Sequence, residues 1–231
     1  MHPTAMINVE HFYGAYMRPE HPGYFVVEIG SQIVPGVRGS LRDVAPPNSE
    51  YIGVDFVSGN GVDVVMTDPY VLPFESESVD ICLASSVFEH SEMFWVLFLE
   101  ILRILKPDGL FYLNVPSNGF VHRYPVDCWR FYPDSGKALV NWGKRNKFNP
   151  ALLESYISAQ NNDVWNDFVA VFIRDENQAP AYPKRITDTY KDFFNGCVHG
   201  SQEFLNPKDA TEDMLKIQTI SMIASGQMAV R

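Results

Sequence analysis

The sequence predicts an α/β fold: a doubly wound, mostly parallel sheet of about seven strands with an antiparallel C-terminal hairpin. Three observations carry this. Apolar runs ending in acid or glycine, such as YFVVEIG (24–30) and YIGVDF (51–56), fit strands buried on both faces of a parallel sheet. Such runs alternate with helical patterns, which implies right-handed crossovers. After residue 150, two β-rich runs flank a polar turn, as in a hairpin.

The elements follow in order. Residues 9–18 suit a short lead-in helix, and 24–30 the first strand. Residues 37–44 suit a short helix before the Pro46-Pro47 break. Strands are expected at 51–56, 62–66 (VDVVM) and 79–85 (VDICLAS). Ser86 and Glu89 have capping-box spacing, and apolar residues recur from there through Leu105, so a strong helix is expected. Lys106-Pro107-Asp108-Gly109 ends it, because proline cannot continue the ladder. LFYLNVP (110–116) is the fifth strand, and 117–134 is an aromatic loop too long for a plain connection. A helix at 135–146 precedes the hairpin of 151–158 and 164–175, turned at 159–163. Residues 176–231 are polar and poorly periodic, with one helix expected near 187–195 and a loose tail. The division expected is a site-bearing domain at 1–175, with a substrate loop at 117–134, and a partly helical extension at 176–231.

Composition narrows the function. A net charge of −10 argues against a nucleic-acid partner and against a polybasic membrane anchor. Cys82, Cys128 and Cys197 are odd in number and far apart, which disfavours a disulfide framework or a zinc site and favours a reducing compartment. No basic start precedes an apolar run at the N-terminus, and no run approaches the ~20 apolar residues of a membrane span. A cytoplasmic location is therefore expected, with a small-molecule substrate, no nucleic acid and no membrane; a homodimer is left open. No histidine or carboxylate spacing points to a metal.

Ligands of open α/β sheets sit at the carboxyl ends of the strands. Glu28, Asp55 and Asp68 lie at or near such ends. Any one of them has an even chance of being a solvated strand end; three in successive strand units point to a site. A carboxylate in the place of Asp55 accepts from both ribose hydroxyls. Gly30 lets a ligand approach the backbone, and Gly36 stands at the far end of the loop. The loop GSQIVPG lacks the GxGxxG that cradles a pyrophosphate, so a nicotinamide dinucleotide is disfavoured.

Residues 24–116 resemble the class I S-adenosylmethionine (SAM)-dependent methyltransferases. VVEIGS is similar to their first motif, YIGVDF to their second-strand acidic motif, and DPYVLPFESESVD (68–80) to their D-x-x-x-LPF-x-x-x-SFD stretch. Ser86 to His90, Glu100 and Arg103 to Gly109 resemble the family's EH…E..R.LKPGG segment. Gln32 and Val34 depart from it, standing where small residues are usual. The resemblance implies SAM as cofactor. Gly30 and Ser31 would lie by its methionine part with Glu28 orienting the loop, and Asp55 would hold the ribose. Phe56 would pack on adenine or be plain core. Asp68 would accept from the adenine amino group beside Pro69 and Tyr70, and Ser85 and Ser86 would line the methyl-transfer zone, Ser86 being equally readable as a helix cap.

A sulfonium methyl is already activated, so catalysis is mainly positioning, to which a general base adds. Candidate bases are His90, His122 and Asp127. The segment HRYPVDCWRFYPD (122–134) is similar to one in methyltransferases of glycan and polysaccharide biosynthesis, where P-x-D-x-x-R recurs. Asp127 and Arg130 would hold polar substrate groups and Trp129 would stack on a sugar face; the plainer reading is a lid in which Asp127 and Arg130 pair with each other. His90 reads more readily as a structural hydrogen-bonding group, and Trp165-Asn166-Asp167 on the late hairpin, placed where it could reach the site, reads more readily as part of the fold. The function expected is methyl transfer to a hydroxyl of a small, sugar-like acceptor. The alternatives are transfer to nitrogen or carbon of a lipid-like molecule, or a SAM-binding module without catalysis.

Overall fold

A computed structural model describes residues 2–34, 39–161 and 164–229. Gly36, and parts of the expected 37–44 helix and 159–163 turn, lie outside them.

One eight-stranded sheet organises the chain. Its strands are β1 (Phe25–Ile29), β2 (Glu50–Asp55), β3 (Val64–Val65), β4 (Val79–Ser85), β5 (Leu105–Pro116), β6 (Ala151–Ser158), β7 (Asp167–Ile173) and β8 (Phe193–Val198). The spatial order is β3-β2-β1-β4-β5-β7-β6-β8. The first five strands pair in parallel, while β7 runs antiparallel to β5 and β6, and β8 antiparallel to β6. The order turns back at β1/β4, the switch point where ligands bind in such sheets.

Alternation along each central strand builds two cores. Val27, Ile29, Cys82, Ala84, Phe111 and Leu113 face helices α2 (Phe94–Ile104) and α3 (Ser135–Arg145). Val26, Ile81, Leu83, Leu110 and Tyr112 face helix α1 (Pro3–Tyr16) on the other side. Each strand is thus apolar on both faces, as its sequence requires.

The structure corrects several expectations. The sheet has eight strands, not about seven. The helix expected near 187–195 is a single turn, α4 (Ile186–Thr189), and the chain then enters β8. Buried Glu154 on β6 explains the change: its carboxylate accepts from the backbone N–H groups of Ile186 and Thr187 and from the hydroxyls of Thr187 and Tyr16. That anchors the short turn on the sheet and delivers Phe193 to the edge. Ser86 does not cap the long helix. It has a left-handed φ of 56°, and α2 starts only at Phe94, after a short 3-10 turn at Phe88–His90. The 37–44 segment contains a 3-10 turn at Leu41–Val44 instead of an α-helix. The first helix covers 3–16, not 9–18, and the third strand shrinks to two residues. Strand β5 absorbs Lys106 to Gly109, with a register shift opposite Val79 and Ile81. In the C-terminal segment, α5 (Glu212–Ala224) has no buried residue, but Glu212 and Asp213 accept from the amides of Asn166 and Asn118 at 2.7 and 2.6 Å.

Candidate functional site

A cavity of about 1320 Å³ opens at the carboxyl ends of the strands. Gly30 from β1, Asp55 and Phe56 from β2, Pro69 from the β3–β4 connection, and Ser85 and Ser86 from β4 all line it. These residues are spread over more than fifty positions, and the parallel crossovers bring them to one edge because every parallel strand ends on the same side.

The floor is built from backbone geometry. Gly30 has a φ of +72°, and its N–H donates to the Val54 carbonyl at 2.9 Å. A Cβ at Gly30 would lie 2.4 Å from Val87 Cγ2, so glycine is needed for both conformation and space. Asp55 is 7 % exposed. Its carboxylate accepts from the backbone N–H groups of Gln32 (3.2 Å) and Val57 (3.1 Å), which aim it across the strand tips. Phe56 is half exposed, presenting an apolar surface at the cavity wall. Among the described residues, no lysine or arginine lines the strand-tip half.

Three residues assigned to the cofactor stand behind this wall. Glu28 points to the α1 side of the sheet, where it accepts from the Tyr51 hydroxyl at 2.8 Å; burial pushes its pKa up to about 7. Ser31 is buried under Gly53. Asp68 is exposed and accepts from the Tyr70 N–H at 2.8 Å, shaping the turn that presents Pro69 and Tyr70 to the cavity.

The opposite wall comes from the 117–134 loop, from Trp165 and Asp167 at the start of β7, and from His2 and Pro3 ahead of α1. The loop is clamped at both ends: Cys128 N–H donates to the Glu89 carbonyl at 2.7 Å, and Phe131 N–H to the Pro116 carbonyl at 3.0 Å. Within it, Asp127 is 3 % exposed and fully engaged. It accepts from both terminal nitrogens of Arg130, at 2.6 and 2.9 Å, and from the His122 N–H at 2.7 Å. The guanidinium holds its carboxyl well below the usual carboxylate range. A carboxylate so paired does not take a proton from a substrate, so the geometry gives Asp127 a positioning role in the loop. Arg130 and Trp129 face away from the main cavity. They line a smaller one of about 370 Å³ with Phe94, Trp95 and Trp142, and the Trp129 indole donates to the Ser91 carbonyl at 2.9 Å. On this wall Tyr124 and Trp165 line the main cavity; Trp165 packs on Gly119 and lies 5.0 Å from the His122 ring.

His90 and His122 both line the cavity, with ring centroids 4.8 Å apart. Between them and the sheet sits Glu89, with 0 % exposure and neither carboxylate oxygen hydrogen-bonded. Burial pushes its pKa up to about 8, with Asp167 adding to the rise. Sequence reasoning missed Glu89 as a site residue by spending it on a cap. It also set Trp165 and Asp167 down as fold in preference to site, and it missed the N-terminal His2, which no motif marks.

Comparison with known proteins agrees with this geometry. Residues 35–113 match the model of a methyltransferase domain family. A 93-residue segment is 39% identical to an uncharacterized methyltransferase of Mycobacterium tuberculosis, covering 40% of this chain and 35% of that protein. A counterpart from Mycobacterium marinum is 34% identical over the same shares of the two chains. The match thus spans about a third of the length of these relatives. Among solved structures, the 1,6-didemethyltoxoflavin-N1-methyltransferase of Burkholderia thailandensis, which holds its substrate and S-adenosylhomocysteine, is similar over 75% of this chain and 78% of its own. It is 14% identical, with a TM-score of 0.52. YcgJ of Bacillus subtilis is 15% identical over 76% of this chain and 100% of its own, with a TM-score of 0.51. The cyclase SpnF is 11% identical over 74% of this chain and 81% of its own, with a TM-score of 0.54. The architecture is the Rossmann-like methyltransferase fold.

Proposed function

We propose that the chain transfers the methyl group of SAM to a hydroxyl of a small, sugar-like acceptor. The observation that carries the reading is the meeting of Gly30, Asp55, Phe56, Pro69 and Ser85 around one cavity at the tips of the strands. The residues fit the donor. Gly30 offers a close backbone approach, Asp55 an oriented acceptor for a ribose diol, and Phe56 an apolar plate for a base. When bound, SAM supplies a methyl on a sulfonium that needs no further activation.

The chain's own part is to bind, align and exclude water. The Asp55 carboxylate keeps lone pairs beyond the two backbone donors and would accept from the ribose. Ser85 and Ser86 mark the point where the strand tips give way to the opposite wall, so transfer is placed there. On that wall, Trp165 offers a broad apolar face with a polar edge, suited to one side of a sugar ring. His90, His122 and Glu89 also line the cavity and would serve the proton-handling role for which Asp127, paired with Arg130, is not free. Holding an acceptor oxygen in line with the S–CH3 bond is worth about 7–11 kcal/mol when alignment is good.

Asp55→Ala is the direct test. Two hydrogen bonds to an ionised group, at about 1.5 kcal/mol each, amount to roughly a hundredfold in affinity. Calorimetric titration with S-adenosylhomocysteine is expected to show that loss in a protein that still folds. Unchanged affinity in the folded variant would refute the donor assignment.

A further inference from the structure

We propose that Glu89, His90 and His122 form a site for one divalent first-row cation, of the zinc or cobalt kind, with its open face toward the main cavity. The three residues offer one ligand atom each, and these atoms lie within 4.8 Å of one another. Two imidazoles and one carboxylate are a set that such cations take with a position left for an outside ligand. Magnesium and calcium, which favour all-oxygen sites, fit less well.

Three independent features favour a cation here over an incidental cluster. The first is the state of Glu89. It is fully buried, its backbone carbonyl takes the Cys128 N–H, and neither side-chain oxygen has a hydrogen-bond partner. Its nearest cationic candidate is His90 Nε2, at 3.8 Å from Oε1. Native proteins seldom leave a buried carboxylate orphaned, and an unplaced ion is among the standard explanations.

The second is the orientation of the two rings. His90 Nδ1 lies 2.5 Å from the Val126 carbonyl oxygen. A carbonyl only accepts, so Nδ1 carries the proton and Nε2 keeps its lone pair. His122 Nδ1 lies 3.2 Å from the Phe120 carbonyl and 3.5 Å from Asp127 Oδ2, again two acceptors. Both rings therefore turn Nε2 to the cluster, with a carbonyl or carboxylate behind Nδ1, the arrangement that orients metal-bound histidines.

The third is the local charge. Asp167 and Asp127 lie near Glu89, and the Arg130 guanidinium is taken by Asp127, while Arg123 also lines the cavity. A cation would find a net negative surrounding. Ligand atoms about 2.1 Å from a tetrahedral ion stand about 3.4 Å apart, so the widest separation in the cluster, up to 4.8 Å, must contract by up to about 1.4 Å. His122 is on the exposed loop and supplies that movement.

The site stands on this geometry alone; its chemical role rests on the methyl-donor reading. An acceptor hydroxyl in the open position would release its proton to solvent more readily. Its oxygen would form the O–CH3 bond as the S–CH3 bond breaks and that electron pair returns to sulfur.

The test is titration of untagged, chelator-treated full-length protein with Co²⁺, followed by visible absorption and then displaced by Zn²⁺. One equivalent with ligand-field bands unlike those of aqueous Co²⁺ is expected. Glu89→Gln and His122→Ala should each weaken binding by about a hundredfold or more, since even outer-shell changes cost 10–100-fold. His199→Ala, at a histidine paired with Glu176, should not. His122 is on a partly exposed loop, so its variant decides the matter if Glu89→Gln does not fold. Absent bands, or equal binding in both variants, would overturn the site. A parallel titration with S-adenosylhomocysteine separates the two ideas: nucleoside binding without cobalt removes only the cation, and cobalt binding without the nucleoside removes only the donor.

Discussion

Glu28 offers a quantitative test of what a buried strand acid costs. It is 4 % exposed and holds the Tyr51 hydroxyl at 2.8 Å, and desolvation lifts its pKa from 4.5 to about 7. The folded state thus binds this proton more tightly than the unfolded chain does. The stability from that tighter binding is complete below about pH 4.5 and is lost as pH rises through 7. A shift of about 2.5 units corresponds to about 3 kcal/mol in full, of which about 2 kcal/mol is lost between pH 5 and pH 8. Glu28→Gln keeps a carbonyl oxygen for Tyr51 and never ionises, so it escapes this loss. Urea unfolding of both proteins across that range measures the difference, and groups that titrate alike in both cancel. Expected is a variant that gains on the parent by about 2 kcal/mol from pH 5 to pH 8 at constant m-value. A difference that stays flat with pH would refute the argument, and with it the upward shift that burial gives the Glu28 carboxyl.

Gly30→Ala should weaken S-adenosylhomocysteine binding by more than tenfold in calorimetry, because a Cβ there meets Val87 Cγ2 at 2.4 Å and φ is left-handed. Gly119→Ala would place a Cβ 2.0 Å from the Trp165 ring, so it should raise KM for the acceptor with little change in nucleoside affinity, read by steady-state kinetics. Asp127→Asn removes the partner of Arg130 inside the loop; a loss of about 1–3 kcal/mol and faster proteolytic cleavage within 117–134 are expected, with nucleoside affinity retained.

The strand-tip half of the cavity was legible in the sequence because strand identity and strand end are local properties. An apolar run such as YIGVDF announces both its burial and the acid at its tip, and parallel crossovers put all such tips on one edge. Where local signals compete, reading failed. Ser86 and Glu89 have capping spacing, yet the chain needs a left-handed turn at Ser86 to leave β4, and the helix waits until Phe94. Strand β8 was hidden for a different reason: in FFNGCV only Phe193, Gly196 and Cys197 are buried, without period-two alternation, and its anchor, Glu154, lies 39 residues earlier. The acceptor half was the least legible. His2, Glu89, His122, Trp165 and Asp167 come from the N-terminus, the end of β4, the long loop and β7, and no spacing in the chain connects them.

That division bears on how far likeness to other proteins can reach. The family match ends at residue 113, so it contains Asp55, Pro69 and Ser85 but none of the loop, Trp165 or Asp167. The shared part holds the strand tips that the proposed function assigns to the donor. The same fold also serves a cyclase, so reaction type must be decided by what faces the cavity from the other wall. Here that wall carries an aromatic face, two imidazoles with free Nε2 positions and a buried, unpartnered carboxylate. Such a wall offers polar groups to an acceptor with exchangeable protons beside a largely apolar lining. Substitutions at Trp165 and His122, more than any in the strand tips, should therefore discriminate between a hydroxyl acceptor and a lipid-like one.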